Sequence, residues 1–368
     1  MQSVRFIMLG GFLGAGKTTT IARLAKHYTD RGKRVGIVTN DQADNLVDTN
    51  NLRGQGFSVR EVPGACFCCK FDDLVDQVKK LGDEGKPDVI LAEPVGSCTD
   101  LVATVVQPMR DLYGAQFSVA PYAVLFKPSH GLRILQGQAA GGFSPKAAYI
   151  FRKQLEEADA VVINRIDELP PTDVELISGL VREQFPGVPV LAMSAKSGDG
   201  FEALTELLDQ EGAFGRRILD IDYDTYAEGE AELGWLNSTA TLRSEGAFSL
   251  DDFLMRLITG LGSELEKVGG EVAHLKVIGM TTGGFGVANL VHTGGTPQLS
   301  LASHQTVPEA ELVVNARVAV DPTELEEMVR AKANELGTEL GVSPDFRQSQ
   351  SLRPGRPTPT HRYAEAKA

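Results

Sequence analysis

Cysteine is scarce in this chain: four residues in 368, Cys66, Cys68, Cys69 and Cys98, all in one stretch. A disulfide framework spreads its cysteines to close long loops. The clustering therefore excludes a disulfide scaffold and points to free thiols in a reducing, cytoplasmic setting with a metal or redox site. Basic charge is also short, with 36 Lys plus Arg against 49 Asp plus Glu and a net charge of −13. Such a field repels phosphate backbones and anionic lipid, so neither nucleic acid nor membrane is an expected partner. No apolar run approaches the roughly 18 residues of a membrane span. The apolar run Phe6 to Leu9 is too short for a signal peptide and has no cleavage-type ending, so it is expected as a buried first strand. Histidine numbers six and is scattered, which excludes a histidine-rich tract for bulk metal storage.

The remaining composition, 42% hydrophobic and 23% charged, is that of a folded globular protein. At about 150 residues per domain, the length predicts roughly two domains. From residue 1 to 215, short apolar runs alternate with amphipathic stretches. Strands are expected at Val4–Leu9, Arg34–Thr39, Phe57–Val62, Asp88–Ala92, Tyr122–Phe126, Ala160–Ile163 and Val188–Met193. Runs apolar throughout, with helical segments between them, are what a parallel sheet covered on both faces requires, so a doubly wound α/β domain is expected. Residues 216–232 are acidic and poor in apolar side chains and read as a linker.

Residues 233–341 then alternate apolar with polar as half-buried antiparallel strands do. A capping box at Ser249-x-x-Asp252 and an Asp321-Pro322 start signal open two helices. A smaller α+β domain of split-βαβ type is expected there. His274 and Lys276 alternate with apolar neighbours and are expected on a solvated face. Residues 342–368, rich in proline with scattered arginine, read as an extended tail.

Gly11-Phe12-Leu13-Gly14-Ala15-Gly16-Lys17-Thr18 fits G-x-x-x-x-G-K-[ST] between a strand and a helix, the context its chemistry needs. Glycines let consecutive N–H groups curl around a phosphate, and the helix N-terminus adds a positive dipole. Lys17 reaches the β/γ-phosphates, Thr18 can ligate Mg²⁺, and Thr19 continues the loop. Glu93, just past the apolar run from Asp88, is the expected Mg²⁺-site acid, with Gly96 free to approach the γ-phosphate. Asp41, after the second strand, is a further candidate for a Mg²⁺-bound water or for catalysis beside Lys17 and Glu93, and equally a turn residue.

Asn164-Arg165-Ile166-Asp167 is similar to the N-K-x-D motif that reads guanine, with arginine in the lysine position. Ser194-Ala195-Lys196 resembles the S-A-K motif at guanine O6. Two such motifs in order, each at a strand end, favour GTP over ATP. Cys66, Cys68 and Cys69 place three thiols within four residues, able to converge on one soft cation such as Zn²⁺. Cys98 is the local candidate for a fourth ligand, with Glu61, a histidine or a partner's ligand as alternatives.

This ordered set of P-loop, C-x-C-C, E-x-x-G and N-R-x-D resembles the CobW family of P-loop GTPases, relatives of the urease and hydrogenase nickel chaperones. Alanine at 65, arginine at 165 and the segment after Glu93 depart from the family's usual pattern. The resemblance implies a GTP-dependent metallochaperone or insertase that couples Mg²⁺-GTP hydrolysis to delivery of zinc, cobalt or nickel. Its client would be a metalloprotein, and a nucleotide-dependent homodimer is compatible with it. By the resemblance, Cys66, Cys68 and Cys69 are the metal-binding cysteines and Glu93 the Mg²⁺-site acid. No arginine finger or catalytic glutamine is identifiable, so slow intrinsic turnover is expected. A regulatory nucleotide-binding module with a structural zinc, or an ATP-dependent transferase, are the rival readings.

Overall fold

The computed structural model describes residues 3–40, 52–53, 55–138 and 142–367. They divide into two compact units, residues 1–229 with 356–368, and residues 230–355.

The first unit begins with β1 (Val4–Gly11), α1 (Lys17–Asp30), β2 (Val35–Asn40), β3 (Ser58–Val62), α2 (Phe71–Gly85) and β4 (Val89–Glu93). A buried π-helical turn, Val102–Val106, runs into α3 (Gln107–Tyr113), followed by β5 (Phe117–Val119), β6 (Ala123–Phe126), α4 (Pro128–Leu135) and α5 (Pro145–Glu157). The unit continues with β7 (Ala160–Ile163), α6 (Pro171–Gln184), β8 (Val190–Ala192) and α7 (Phe201–Leu208). Strand order is β3-β2-β4-β1-β6-β7-β8, with β5 also beside β1, and these pairings are parallel.

β4, β6 and β7 are buried at every position, because both sheet faces are covered. Ile7, Leu9, Ile37, Leu91, Leu125 and Val162 form one core with Ile21 and Leu24 of α1 and Leu204 and Leu208 of α7. The alternating residues Phe6, Met8, Val38, Ile90 and Val124 are buried as well. This is the expected doubly wound α/β sheet, and β5 is the strand that the apolar pattern did not announce.

Residues 216–232 are not a bare linker, since they include α8 (Tyr223–Ala231). Asp222 caps it, accepting from Asp224 N and Thr225 N, and Tyr226 is fully buried. A tyrosine pair at i, i+3 anchors the helix while Asp224 and Glu228 stay at the surface and Glu230 is buried, an arrangement that composition alone reads as a linker.

The second unit holds β9 (Gly234–Ser249), α9 (Leu250–Lys267), β10 (Val272–Thr281), β11 (Gly284–Leu290), β12 (Gln298–Leu301), β13 (Thr306–Val318), α10 (Pro322–Leu340) and β14 (Val342–Leu352). The sheet is antiparallel in the order β12-β11-β10-β13-β9-β14. β13 lies between the strands joined by α9, and β9 between those joined by α10, which is the expected split-βαβ arrangement with an added hairpin. Ser249 and Asp321 cap their helices as the start signals required. Leu236, Leu242, Val277, Leu290 and Val314 pack against Phe253, Leu257, Leu261, Leu325 and Val329 from both helices.

Two expectations need correction here. Lys276 is 6% exposed, in a buried polar row with Asn237, Asn315 and Arg317, and is not on a solvated face. Asn237 Oδ1 accepts from Asn315 and Arg317, and the Arg317 guanidinium lies 4.1 Å over the Trp235 ring, so the polar groups of this row meet one another beneath the surface. Residues 342–352 are not a tail but the edge strand β14, paired with β9 through main-chain bonds that need no apolar pattern. Pro344 is tolerated because the strand is an edge. Residues 356–368 belong to the first unit. No helix among the described residues is long and apolar enough to cross a membrane.

Candidate functional site

β1 delivers the chain to the carboxyl edge of the sheet, and the loop that follows turns on Gly14 (φ 75) and Gly16 (φ 94), both in the left-handed region that favours glycine. Ala15 N donates back to Phe12 O at 3.0 Å, curling the loop over the start of α1. Lys17 Nζ donates to Gly11 O at 2.9 Å, and Thr18 Oγ1 donates to Glu93 Oε1 at 2.9 Å. Both side chains are buried, as is Glu93 at the end of β4, the strand beside β1. Gly96 follows on the same segment, where a Cβ would stand 2.9 Å from Lys17 Nζ and from Leu13 N. Thr19 is exposed. An ammonium, a hydroxyl and a carboxylate thus converge on a helix N-terminus, a donor set suited to a polyphosphate and a hard divalent cation. Asp41 lies outside the described residues.

Farther along the same sheet edge, β7 ends in Asn164, whose amide donates to Ala15 O at 2.7 Å and whose oxygen accepts from Ala195 N at 2.9 Å. Asn164 therefore ties the phosphate loop to the Ser194-Ala195 loop. Ser194 is fully buried, and its hydroxyl accepts from Ser197 N at 3.0 Å. Asp167 is exposed in the single turn Ile166–Glu168, leaving its carboxylate open to a ligand. Arg165 has a left-handed backbone (φ 66) and grips Glu168 with two donors at 2.9 and 2.8 Å. That pairing explains why arginine fits here: its planar fork holds the turn that presents Asp167.

Cys66, Cys68 and Cys69 lie between β3 and α2, with Sγ–Sγ distances of 2.8, 3.2 and 3.8 Å. Tetrahedral zinc–sulfur bonds of about 2.3 Å set an S–S edge of about 3.8 Å. The thiols are therefore gathered as tightly as one ion needs, or more so. Cys98, 1% exposed, also hydrogen-bonds to Cys66. Hydrogen bonds from Cys68, Cys69 and Cys98 hold the Cys66 thiol well below its ordinary range. Cys68 is pushed well up by its bond to Cys66, and Cys69 up to about 11 by the same partner. Cys66 is thus the ready thiolate, and a cation bound here would displace protons from its neighbours.

Three residues that the sequence did not single out hold these groups in place. Asn40, at the end of β2, donates to Val62 O at 2.8 Å and Ala65 O at 2.7 Å, and accepts from Phe67 N at 2.8 Å. Its neighbour Thr39 is in register with Glu93. Gln154 of α5 donates to Gly96 O at 3.0 Å and Cys98 O at 2.8 Å. Glu157, one turn later, accepts from Thr99 Oγ1 at 3.1 Å and Val102 N at 2.9 Å, and full burial pushes its carboxyl up to about 8. Only Asn40 carried a sequence signal, a polar residue directly following a buried strand.

Residues 5–192, just over half of the chain, match the family model described as the CobW/HypB/UreG nucleotide-binding domain. The chain is 31% identical over 172 residues to a protein named zinc chaperone YeiR from Escherichia coli (strain K12), covering 45% of this chain and 47% of that one. It is 29% identical over 213 residues to the zinc chaperone CobW of Sinorhizobium sp, covering 52% and 59%. It is 26% identical over 218 residues to the urease accessory protein UreG of Metallosphaera sedula, covering 55% and 91%. The chain thus spans about half the length of the two zinc chaperones. With the phosphate loop, Glu93 facing it and Asn164–Asp167 on one sheet edge, all within the matched residues, the chain belongs to the CobW/HypB/UreG nucleotide-binding family.

Proposed function

We propose that this protein is a GTP-hydrolysing metallochaperone in which the nucleotide state sets the grip of Cys66, Cys68, Cys69 and Cys98 on a thiophilic ion, zinc in the first instance, for transfer to a client metalloprotein. One observation carries the reading: an unbroken run of contacts from phosphate loop to thiols. Thr18 bonds Glu93, Glu93 is in register with Thr39, and the adjoining Asn40 makes two hydrogen bonds to the thiol loop and one to Val62 at the end of β3.

In this reading the loop amides and Lys17 bind the triphosphate, and Asp167 binds guanine beside the Ser194-Ala195 loop. Asn164 keeps the phosphate and base loops in register. Thr18 and Glu93 would hold Mg²⁺, which supplies charge neutralisation for the phosphates when bound. Gly96 leaves room for the terminal phosphate beside Lys17. Loss of that phosphate changes what Lys17 and the Glu93–Gly96 segment contact, and Cys98 lies two residues beyond Gly96. Hydrolysis would thus open one corner of the thiol site.

The test measures GTP hydrolysis and Zn²⁺ affinity in one preparation, with a non-hydrolysable GTP analogue, with GDP and without nucleotide. A shift in Zn²⁺ affinity between nucleotide states of roughly 5- to 150-fold is expected for a working coupling. Equal affinity in all three states refutes it.

A further inference from the structure

Residues 356–368 return to the first unit after the whole of the second has been made, and they lie across the thiol loop. Thr358 N donates to Cys69 Sγ at 3.3 Å. Thr360 N donates to Cys68 O at 2.8 Å, and Thr360 Oγ1 to Cys69 O at 3.1 Å. The His361 ring packs edge-on against Phe71, the first residue of α2, with centroids 5.1 Å apart. Arg362 Nε donates to Asp100 Oδ2 at 2.7 Å and its terminal nitrogen to Leu219 O at 2.9 Å. Tyr363 N then donates to Ala103 O at 3.0 Å.

The sequence of this segment explains the pattern. In Pro357-Thr358-Pro359-Thr360 the prolines have no N–H, so only the two threonines can donate from the main chain. Both donors are used on the thiol loop. Alternate prolines also hold the segment extended before it docks, which lowers the ordering entropy of closing it.

We infer that Thr358–Tyr363 is a strap that closes the thiol site, that the Thr358 amide positions the Cys69 sulfur, and that the Arg362–Asp100 pair is the latch. The inference rests on the metal-binding reading proposed above. Main-chain N–H groups aimed at a ligand sulfur fix its orientation as outer partners of a metal ligand do, and their loss typically weakens metal binding 10- to 100-fold. Cys66 and Cys68 are 4% and 1% exposed, and the strap bonds Cys68 O and the Cys69 sulfur on the same loop. The latch is built to open. Asp100 is 1% exposed, and its Oδ2 accepts from both Arg362 and Tyr223. Its Oδ1 has no hydrogen-bond partner among the described residues. Lifting the strap returns a half-satisfied buried carboxylate to water, which offsets part of the lost ion pair. The latch also sits on the segment running from Glu93 through Gly96 and Cys98, so strap and nucleotide segment share an anchor.

The experiment uses the full chain loaded with Co²⁺ as the probe, whose thiolate charge-transfer absorption reports the sulfur shell, and follows its release into excess chelator. Thr358→Pro deletes one N–H within an already proline-rich extended segment. Thr358→Val keeps the N–H and is the control. Release about 10-fold faster from Thr358→Pro and from Arg362→Met, with Thr358→Val within twofold of the parent, is the expected result. Alkylation of Cys69 in the metal-free protein, which needs no metal chemistry, should accelerate in the same two variants. If Arg362→Met fails to fold because Asp100 is left unpaired, the Thr358 pair decides alone. A normal thiolate absorption with equal release rates in Thr358→Pro, Thr358→Val and the parent overturns the strap and leaves the metal reading standing. Absence of that absorption in the parent overturns the metal reading and the strap with it.

Discussion

Replacing Asn40 with alanine removes the side chain that fastens the thiol loop to the end of β2. Its amide makes three hydrogen bonds, to Val62 O, Ala65 O and Phe67 N, each between 2.7 and 2.8 Å, and Phe67 is fully buried. A buried main-chain group left without a partner costs about 1–3 kcal/mol. The loop relaxes and water reaches part of it, so the net loss should be about 2–4 kcal/mol, inside the 5–15 kcal/mol by which domains are stable. The variant should therefore fold, with a melting temperature lowered by roughly 4–16 °C. The larger effect falls on the metal. The thiols must now be ordered at the moment of binding, and Zn²⁺ affinity should drop about 10- to 100-fold. Thr18 and Glu93 are untouched, so GTP affinity should stay within about twofold, a change too small to signal a lost contact. Above all, the dependence of Zn²⁺ affinity on nucleotide should shrink, because the contact joining the two sites is gone. Competitive Zn²⁺ titration against a chelator, with a GTP analogue and with GDP, reads all three quantities. A variant with parental Zn²⁺ affinity and undiminished nucleotide dependence would show that Asn40 carries no coupling.

Gly96→Ala should lower GTP affinity at least about 10-fold in calorimetric titration, because its Cβ would stand 2.9 Å from the Leu13 main-chain nitrogen, which cannot yield as a flexible side chain can. Asp167→Asn should weaken GTP binding by about 2–3 kcal/mol through loss of a charged acceptor while leaving the melting temperature near that of the parent, since Asp167 is exposed. Glu157 supplies a pH signature: its carboxyl is raised from 4.5 to about 8 in the folded chain, so between those values the folded state holds a proton that the unfolded state has released. Stability must then fall as pH rises, by about 2 kcal/mol from pH 6 to pH 8 for this group. Glu157→Gln, which can still accept from Val102 N and meet Thr99, should flatten that slope and be the more stable protein at pH 8. A parallel pH profile in chemical denaturation would refute the assignment.

What the sequence disclosed was what is local in it. Glycines at 14 and 16 must turn, a lysine and threonine must follow, and a strand must precede, so the phosphate loop is readable in eight consecutive residues. Asn164 and Asp167 were readable for the same reason, three residues apart at a strand end. The partners of Asn40, Gln154 and Arg362 were not, because each works by bonding to main-chain or buried groups far along the chain, and nothing in an asparagine, glutamine or arginine says which distant group it will meet. β14 was missed because an edge strand is held by main-chain bonds on one side and can carry polar residues and a proline. Lys276 was misplaced because period-2 alternation marks which residues share a face, while burial of that face depends on what covers it.

The segment from Glu93 to Asp100 is where these fragments meet, and its anchors restrict how it can move. Glu93 is bonded to Thr18, the carbonyls of Gly96 and Cys98 both accept from Gln154, Thr99 bonds Glu157, and Asp100 bonds Tyr223 and Arg362. Gln154 and Glu157 lie one turn apart on α5, so their partners are held by a single rigid element. A displacement that starts at Glu93 therefore has two courses: it carries Cys98 along, or it breaks the bonds to Gln154. Either course alters the sulfur nearest the nucleotide segment, whereas the thiol loop itself is held by Asn40 on another strand. Two segments, one anchored to a helix and one to a strand, can part by small shifts that a packed core tolerates only as discrete alternatives. In the proposed function, a site whose sulfurs are divided between such segments, three on the Asn40 side and one on the Gln154 side, is one that a phosphate would open.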